Sequence, residues 1–117
     1  MASAESIQVP VRIVRSFSAR LRGLMLQRVD SVETAGLLLP SCASVHTVGM
    51  RFRLDIAFVS ADGAILDVRH DLGAWRVCVC RQASPYRIDA LELAAGSAHR
   101  LGLTPGRRCR FVCVEER

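Results

Sequence analysis

Lysine is absent from this sequence of 117 residues, and aromatic residues are scarce, at 5%. All 16 basic residues are therefore arginine, and they are spread from Arg12 to Arg117 without a long basic block. The net charge of +5 permits anionic ligands or acidic partners. Nucleic acid is disfavoured as a partner, because the positive charge is not concentrated and few aromatic side chains are present to stack on bases.

The sequence also lacks an apolar run approaching the roughly 20 residues that span a bilayer. Its first residues, MASAESIQVPVRIV, have neither the basic region nor the continuous apolar region of a signal peptide. Five cysteines cannot all pair within one chain, so they indicate reduced thiols. These features predict a cytoplasmic protein without a membrane partner, either a monomer or a weak homodimer.

Several motifs of catalysis and cofactor binding are missing. The sequence has no phosphate-binding loop, no G-x-G-x-x-G, no serine nucleophile elbow and no H-E-x-x-H. Cys78 shares a strand face with Cys80, and Cys109 shares one with Cys113, but C-x-C within a regular strand splays its sulfurs apart. We therefore interpret these cysteines as core thiols, and we predict no metal site and no cofactor.

Half of the residues are apolar, so the chain can bury a core of the size of one domain. Short alternating runs separated by turn residues predict about seven strands, mostly antiparallel, with two short helices over 16–27 and 96–102. Pro10 lies inside the first strand, 7–14, and predicts an edge position, because proline cannot donate to a ladder. The predicted fold is mainly β, bordering on α+β, with residues 1–117 forming a single compact domain like a β-sandwich or barrel.

Three segments carry recognisable motifs: RLRGLM (20–25), HTVGMRFRLDIAFV (46–59) and LELAAGSAHRLGLTPG (91–106). Together they resemble the DUF192 family, a group of small prokaryotic proteins of uncharacterised function, and the resemblance extends over about residues 9–114. It implies a compact, mainly β domain with short helices, and it implies no established reaction, cofactor or substrate. The sequence departs from the family at Arg53, where proline is usual.

The segment from His46 to Phe58 contains the most promising candidate site. Alternation along a strand places Arg51, Arg53 and Asp55 on one face and the apolar residues on the other. The polar face either lines a groove, with Arg51 binding an anion and Asp55 orienting it or acting as a base, or is simply solvated. We favour the solvated interpretation for Arg53. The apolar face, predicted to form a wall of the core, consists of Met50, Phe52, Leu54, Ile56 and Phe58.

Other polar residues have similar alternatives. His46 is either a general base or metal ligand, or a hydrogen-bonded structural residue. Trp75 either stacks on a ligand or seals the end of the barrel, and Arg76 beside it can bind an anion. Glu92 lies in an apolar strand, so we expect its carboxylate to emerge on the outer face or to meet a partner such as Arg51 or Arg76. The candidate ligand-binding residues are His46, Thr47, Arg51, Asp55, Trp75, Arg76 and Glu92.

Three functions remain open from the sequence, and whether the protein is an enzyme is among the open questions. The leading hypothesis is a non-enzymatic binding or accessory domain that holds a small anionic or polar ligand, or a partner peptide, at the polar rim around HTVGMRFRLD. The second is an enzyme, such as a hydrolase, with His46 or Asp55 as base and Arg51 as anion clamp. The third is an accessory protein that binds nucleic acid through surface arginines.

Overall fold

The computed structural model describes residues 6–13, 36–46, 53–73 and 76–114, with the side chain of His46 excepted. The predicted helix over 16–27 lies outside these residues. The described elements are β1 (Ile7–Ile13), β2 (Gly36–Leu39), β3 (Ser44–His46), β4 (Leu54–Ser60), β5 (Ile65–Leu72), β6 (Val77–Val79), β7 (Ile88–Ala94), α1 (Ser97–Leu101) and β8 (Cys109–Cys113).

Six strands form one sheet in the order β5-β4-β7-β2-β1-β8. β1 runs parallel to both β2 and β8, and the other neighbours are antiparallel. β3 and β6 form a separate antiparallel pair. The sheet is not closed into a barrel, although a single bridge joins Ala64 to Arg108 near the two edges. The prediction of a mainly β, mostly antiparallel fold is confirmed. The described residues form eight strands rather than about seven, and the additional strand is β3, which the sequence predicts as a loop or irregular edge.

The centre of the large sheet, formed by β4 and β7, is buried on both of its faces. Every residue of β4 is buried, and β7 is buried from Asp89 to Leu93. On one face, apolar side chains of the sheet pack with Ala98 of α1 and with Leu103. On the other face, they pack with Val45 of β3 and Cys78 of β6. Central strands with two covered faces have no solvated side, and this decides where their polar residues can lie.

The prediction that Pro10 marks an edge strand is wrong, because β1 lies between β2 and β8. The amide of Ile7 donates to Arg108, and the carbonyl of Val11 accepts from Val114, so the odd-numbered residues of β1 bond to β8. Among the described residues, the ladder with β2 begins at Val11, which pairs with Gly36. The ladder with β8 does not require the N–H that Pro10 lacks.

The hairpin predicted between β4 and β5 is confirmed, and its far end is irregular. Gly63 closes the turn with a φ of 94°. At the other end of the hairpin, Leu54 pairs with Leu72 but Ile56 pairs with Arg69, so β5 contains one extra residue. Within this bulge, Asp71 adopts a left-handed φ of 54°. The bulge redirects the end of β5, and the candidate site lies there.

α1 falls within the helix predicted over 96–102. It has five residues, and no helix in the described part of the chain is long and apolar enough to cross a membrane.

Candidate functional site

An open pocket of about 510 Å³ lies where the end of β5 faces the start of β6. Three arginines from three separate segments contribute to its wall: one immediately before β4, one on β5 and one immediately before β6. We call it the arginine pocket, and its lining residues are Arg53, Arg69, Asp71, Leu72, Gly73, Arg76 and Val77.

Arg53 is held against the β5 bulge. Its Nε donates to the Oδ1 of Asp71 at 2.6 Å, and its Nη2 donates to the main-chain oxygen of the same residue at 2.7 Å. Gly73 leaves room for this guanidinium, since a Cβ at position 73 would lie 3.0 Å from Nη1 of Arg53. Both side chains of the ion pair are more than half exposed, so the pair fixes geometry while contributing only about 0–1 kcal/mol to stability.

Arg69 bridges the gap between β5 and β6. Its Nη2 donates to the carbonyl of Val79 at 3.3 Å, and its Nε lies 3.4 Å from Oδ2 of Asp67. Asp67 is bound more closely by Arg81, which donates from Nη2 at 2.7 Å, from Nε at 3.1 Å and from its main-chain N–H at 3.0 Å. These hydrogen bonds from Arg81 lower the pKa of the buried Asp67 to about 2. Arg69 is thus positioned by longer contacts beside a carboxylate that Arg81 already binds.

Asp55 lies beneath the arginine pocket and is fully buried. Its Oδ1 accepts from the N–H of Asp71 at 2.9 Å, and its Oδ2 accepts from the N–H groups of Gly96 and Ala98, each at 2.9 Å. The sequence placed Asp55 on a face that either lines a groove or is solvated. The structure instead covers this face with α1, so that the carboxylate joins the start of the helix to the β5 bulge.

Glu92 is also fully buried, on the opposite face of the sheet. Neither of its carboxylate oxygens has a hydrogen-bond partner among the residues that the structure describes. Burial raises the pKa of this carboxyl to about 8. The expectation that Glu92 would emerge on the outer face is therefore wrong, because β7 is central and both of its faces are covered. The Glu92 carboxylate makes no hydrogen bond with Arg76, and Arg51, the other partner considered, lies outside the described residues, so that pairing stays a prediction.

The structure describes the side chains of only three of the seven predicted site residues, Asp55, Arg76 and Glu92. Arg76 lines the arginine pocket, and Asp55 lies below it. Thr47, Arg51 and Trp75 lie outside the described residues, as does the side chain of His46, so their ligand-binding roles stay predictions.

Sequence reasoning missed three charged lining residues, Arg53, Arg69 and Asp71. The sequence favours a solvated Arg53, whose side chain is 59% exposed, and it gives no site role to Arg69 or Asp71. The available signal was the run Arg-His-Asp at 69–71, where three successive polar residues interrupt the alternation of β5. Such an interruption is typical of a bulge, and bulges are frequent beside functional sites.

The five cysteines are all free thiols. Cys78 and Cys109 are buried, as predicted for core thiols, and burial raises the pKa of Cys109 to about 11. Cys42 and Cys80 are half-buried, whereas Cys113 is exposed on β8 and lies outside the core. Among the described residues, no group of three or more His, Cys, Asp or Glu side chains is arranged to hold a metal ion.

The DUF192 family model, described as "Uncharacterized ACR", matches residues 1–111 of the chain. No curated protein matches the chain. One similar solved structure is a protein of unknown function from Novosphingobium aromaticivorans DSM 12444, with 23% identity and a TM-score of 0.66, covering 84% of this chain and 71% of that one. Another is a Sinorhizobium meliloti 1021 protein described as a "putative transcription regulator", with 27% identity and a TM-score of 0.68, covering 84% and 78%.

Proposed function

The chain belongs to the DUF192 family, and we propose that it is a non-enzymatic binding domain that holds a small anionic ligand in the arginine pocket. The observation that carries the proposal is the meeting of Arg53, Arg69 and Arg76 at one open pocket from three segments of the chain. We further propose that this binding takes place in the cytoplasm, where five free thiols are stable.

The chemistry of the lining supports an anionic ligand. Guanidinium groups present planar, forked donors that match carboxylate, sulfate and phosphate oxygens. The pocket lining contains three arginines and one carboxylate, that of Asp71, so positive charge predominates. Its volume of about 510 Å³ lies within the range of small-molecule sites, which run from about 300 to 1,000 Å³. A small organic anion therefore fits both the charge and the size.

The enzyme hypothesis receives less support from this geometry. Both oxygens of Asp55 accept hydrogen bonds from main-chain N–H groups and the residue is fully buried, which is a poor arrangement for a general base. A reaction based on His46 remains the alternative. The description of the Sinorhizobium protein and the net charge of +5 keep nucleic acid as a further outcome to be measured.

Isothermal titration calorimetry of the full chain with a panel of small organic carboxylates, sulfates and phosphates tests the proposal. We expect binding that weakens with salt and falls roughly tenfold in Arg76→Gln and in Arg69→Gln. Arg110→Gln is the matched control, because Arg110 is exposed on β8, at the sheet edge opposite β5, and should leave affinity unchanged.

Two results would overturn the proposal. One is that no anion in the panel binds, and the other is that the pocket variants and Arg110→Gln lose the same amount of binding affinity. Ester cleavage during the titration would favour the enzyme alternative. Tight binding of a mixed oligonucleotide, lost equally in all three arginine variants, would favour nucleic acid.

A further inference from the structure

We propose that the arginine pocket selects a phosphate monoester, bound as the dianion, and that the Asp71 carboxylate limits this selectivity. The inference rests on the proposed function, since it names the ligand class of the same site. It draws on the charge of the lining, on the contacts of Arg53 and on the apolar part of the wall.

The charges of the lining match a doubly charged group. Three guanidinium groups and one carboxylate give the lining residues a net charge of +2. Asp67, the carboxylate nearest to Arg69, does not alter this balance, because the guanidinium of Arg81 binds it at 2.7 and 3.1 Å. A phosphate monoester carries about −1.5 to −2 charge near pH 7 and presents three acceptor oxygens in one compact group. Forked guanidinium donors match the oxygens of such a group, and three of them line this pocket.

Asp71 weakens the attraction of the pocket for every anion. Its carboxylate and its main-chain oxygen already accept both donors that Arg53 directs toward β5. Both the attraction of the three guanidiniums and the repulsion by the Asp71 carboxylate are about twice as large for a dianion as for a monoanion. Because the attraction predominates, the dianion is favoured, and Asp71 reduces the margin.

The Asp71 backbone keeps this carboxylate in place. Its left-handed φ of 54° is uncommon for a residue with a side chain, and it is maintained by the hydrogen bond from its N–H to the buried Asp55. The carboxylate that limits the selectivity is thus attached to the core rather than to a loose surface segment.

The rest of the wall favours an ester over a free ion. The pocket is much larger than one phosphoryl group requires, and Leu72 and Val77 also line it. Val77 is 73% exposed, which leaves apolar surface available to cover the organic part of a ligand.

Phenyl phosphate and phenyl sulfate are matched probes for this inference, because they have the same shape but the sulfate remains a monoanion. At pH 7.5 we expect phenyl phosphate to bind the full chain roughly tenfold more tightly than phenyl sulfate, by calorimetry. At pH 5, below the second pKa of phosphate at about 6, the two affinities should converge. Inorganic phosphate should bind several-fold more weakly than phenyl phosphate at pH 7.5.

Substitutions of the lining residues show which charges determine the preference for phenyl phosphate over phenyl sulfate. Asp71→Asn should tighten the binding of phenyl phosphate several-fold, and by a larger factor than that of phenyl sulfate, because Coulomb repulsion scales with ligand charge. Arg76→Gln should reduce the preference for phosphate over sulfate, and Arg110→Gln should leave it unchanged.

The outcomes separate this inference from the proposed function. If phenyl sulfate and phenyl phosphate bind equally at pH 7.5, the dianion inference fails while anion binding stands. If inorganic phosphate binds as tightly as phenyl phosphate, the ester part of the inference fails. If Asp71→Asn leaves the preference unchanged, Asp71 does not limit it. If no probe binds, the proposed function itself fails.

Discussion

Two fully buried carboxyl groups lie one residue apart in the same β ladder and differ in their surroundings. Asp55 on β4 pairs with Leu93 of β7, and the next pair joins Ile56 to Glu92. The two acids therefore point to opposite faces of the sheet. Asp55 accepts three main-chain hydrogen bonds, whereas Glu92 has no hydrogen-bond partner among the described residues.

The difference shows what a buried acid requires in a β-sheet. Within a regular ladder, the main-chain N–H groups bond to the neighbouring strands and are not available to side chains. Unused N–H groups occur where the ladder is interrupted or where a helix begins. Asp55 lies near both kinds of feature, the β5 bulge and the start of α1. Glu92 faces the uninterrupted middle of the sheet, between Leu37 and Ile56.

Replacing Asp55 with the isosteric Asn should produce the largest loss of stability. The amide can accept at one atom only, so at least one of the N–H groups of Asp71, Gly96 and Ala98 is left buried without an acceptor. We expect the free energy of unfolding to fall by about 4 kcal/mol, measured by urea denaturation at pH 7.

The matched control is Glu92→Gln, at a site of equal burial, where a pKa of about 8 keeps the carboxyl mostly protonated at pH 7 and no hydrogen bond to a described residue is broken. It should be at least as stable as the wild type at pH 7. If Asp55→Asn cost no more than Glu92→Gln, the contrast between the two acids would be wrong.

Glu92 should make the stability of the protein depend on pH. Its pKa is about 8 in the folded protein against an ordinary 4.5, so the folded state holds the proton more tightly than the unfolded state does. The contribution of Glu92 to stability is therefore fully present below about pH 4.5 and is lost as the pH rises through 8. In Glu92→Gln this fall should be absent, so the variant should exceed the wild type by about 5 kcal/mol at pH 9 and by little at pH 4.5.

Urea denaturation of both proteins from pH 4.5 to 9 measures this difference. Parallel stability curves across that range would show that Glu92 does not hold its proton as its burial requires. A wild type that gains stability toward pH 9 would mean that the carboxylate finds a partner when it ionises.

The sequence predicts the strands well, but it does not show which elements pack against their faces. Alternation correctly predicted that Leu54, Ile56 and Phe58 build one wall of the core. It could not show that the other face of β4 is also covered, because that cover comes from α1, more than 40 residues away. Alternation reports which residues share a face, and tertiary packing decides whether that face meets solvent.

The candidate site was foreseen in part for the same reason. Arg76 was recognised as an anion-binding candidate, and the structure places it in the pocket lining. Arg53 and Asp71 were not paired in the prediction, since they are 18 residues apart and are brought together by the bulge of β5. A register shift depends on pairing with β4, so the sequence of β5 alone does not fix it.

The smallest effect on stability is expected from Asp71→Asn, which tests whether Asp55 depends on the Asp71 backbone or on its side chain. Asparagine keeps the N–H that Asp55 accepts, and it tolerates the left-handed φ of 54°. Only the exposed ion pair with Arg53 is lost, so the free energy of unfolding should change by less than about 1 kcal/mol. A loss above about 2 kcal/mol in urea denaturation at pH 7 would mean that the side chain supports the Asp55 network. A small loss would establish that position 71 can change the charge of the arginine pocket without disturbing the buried acid beneath it.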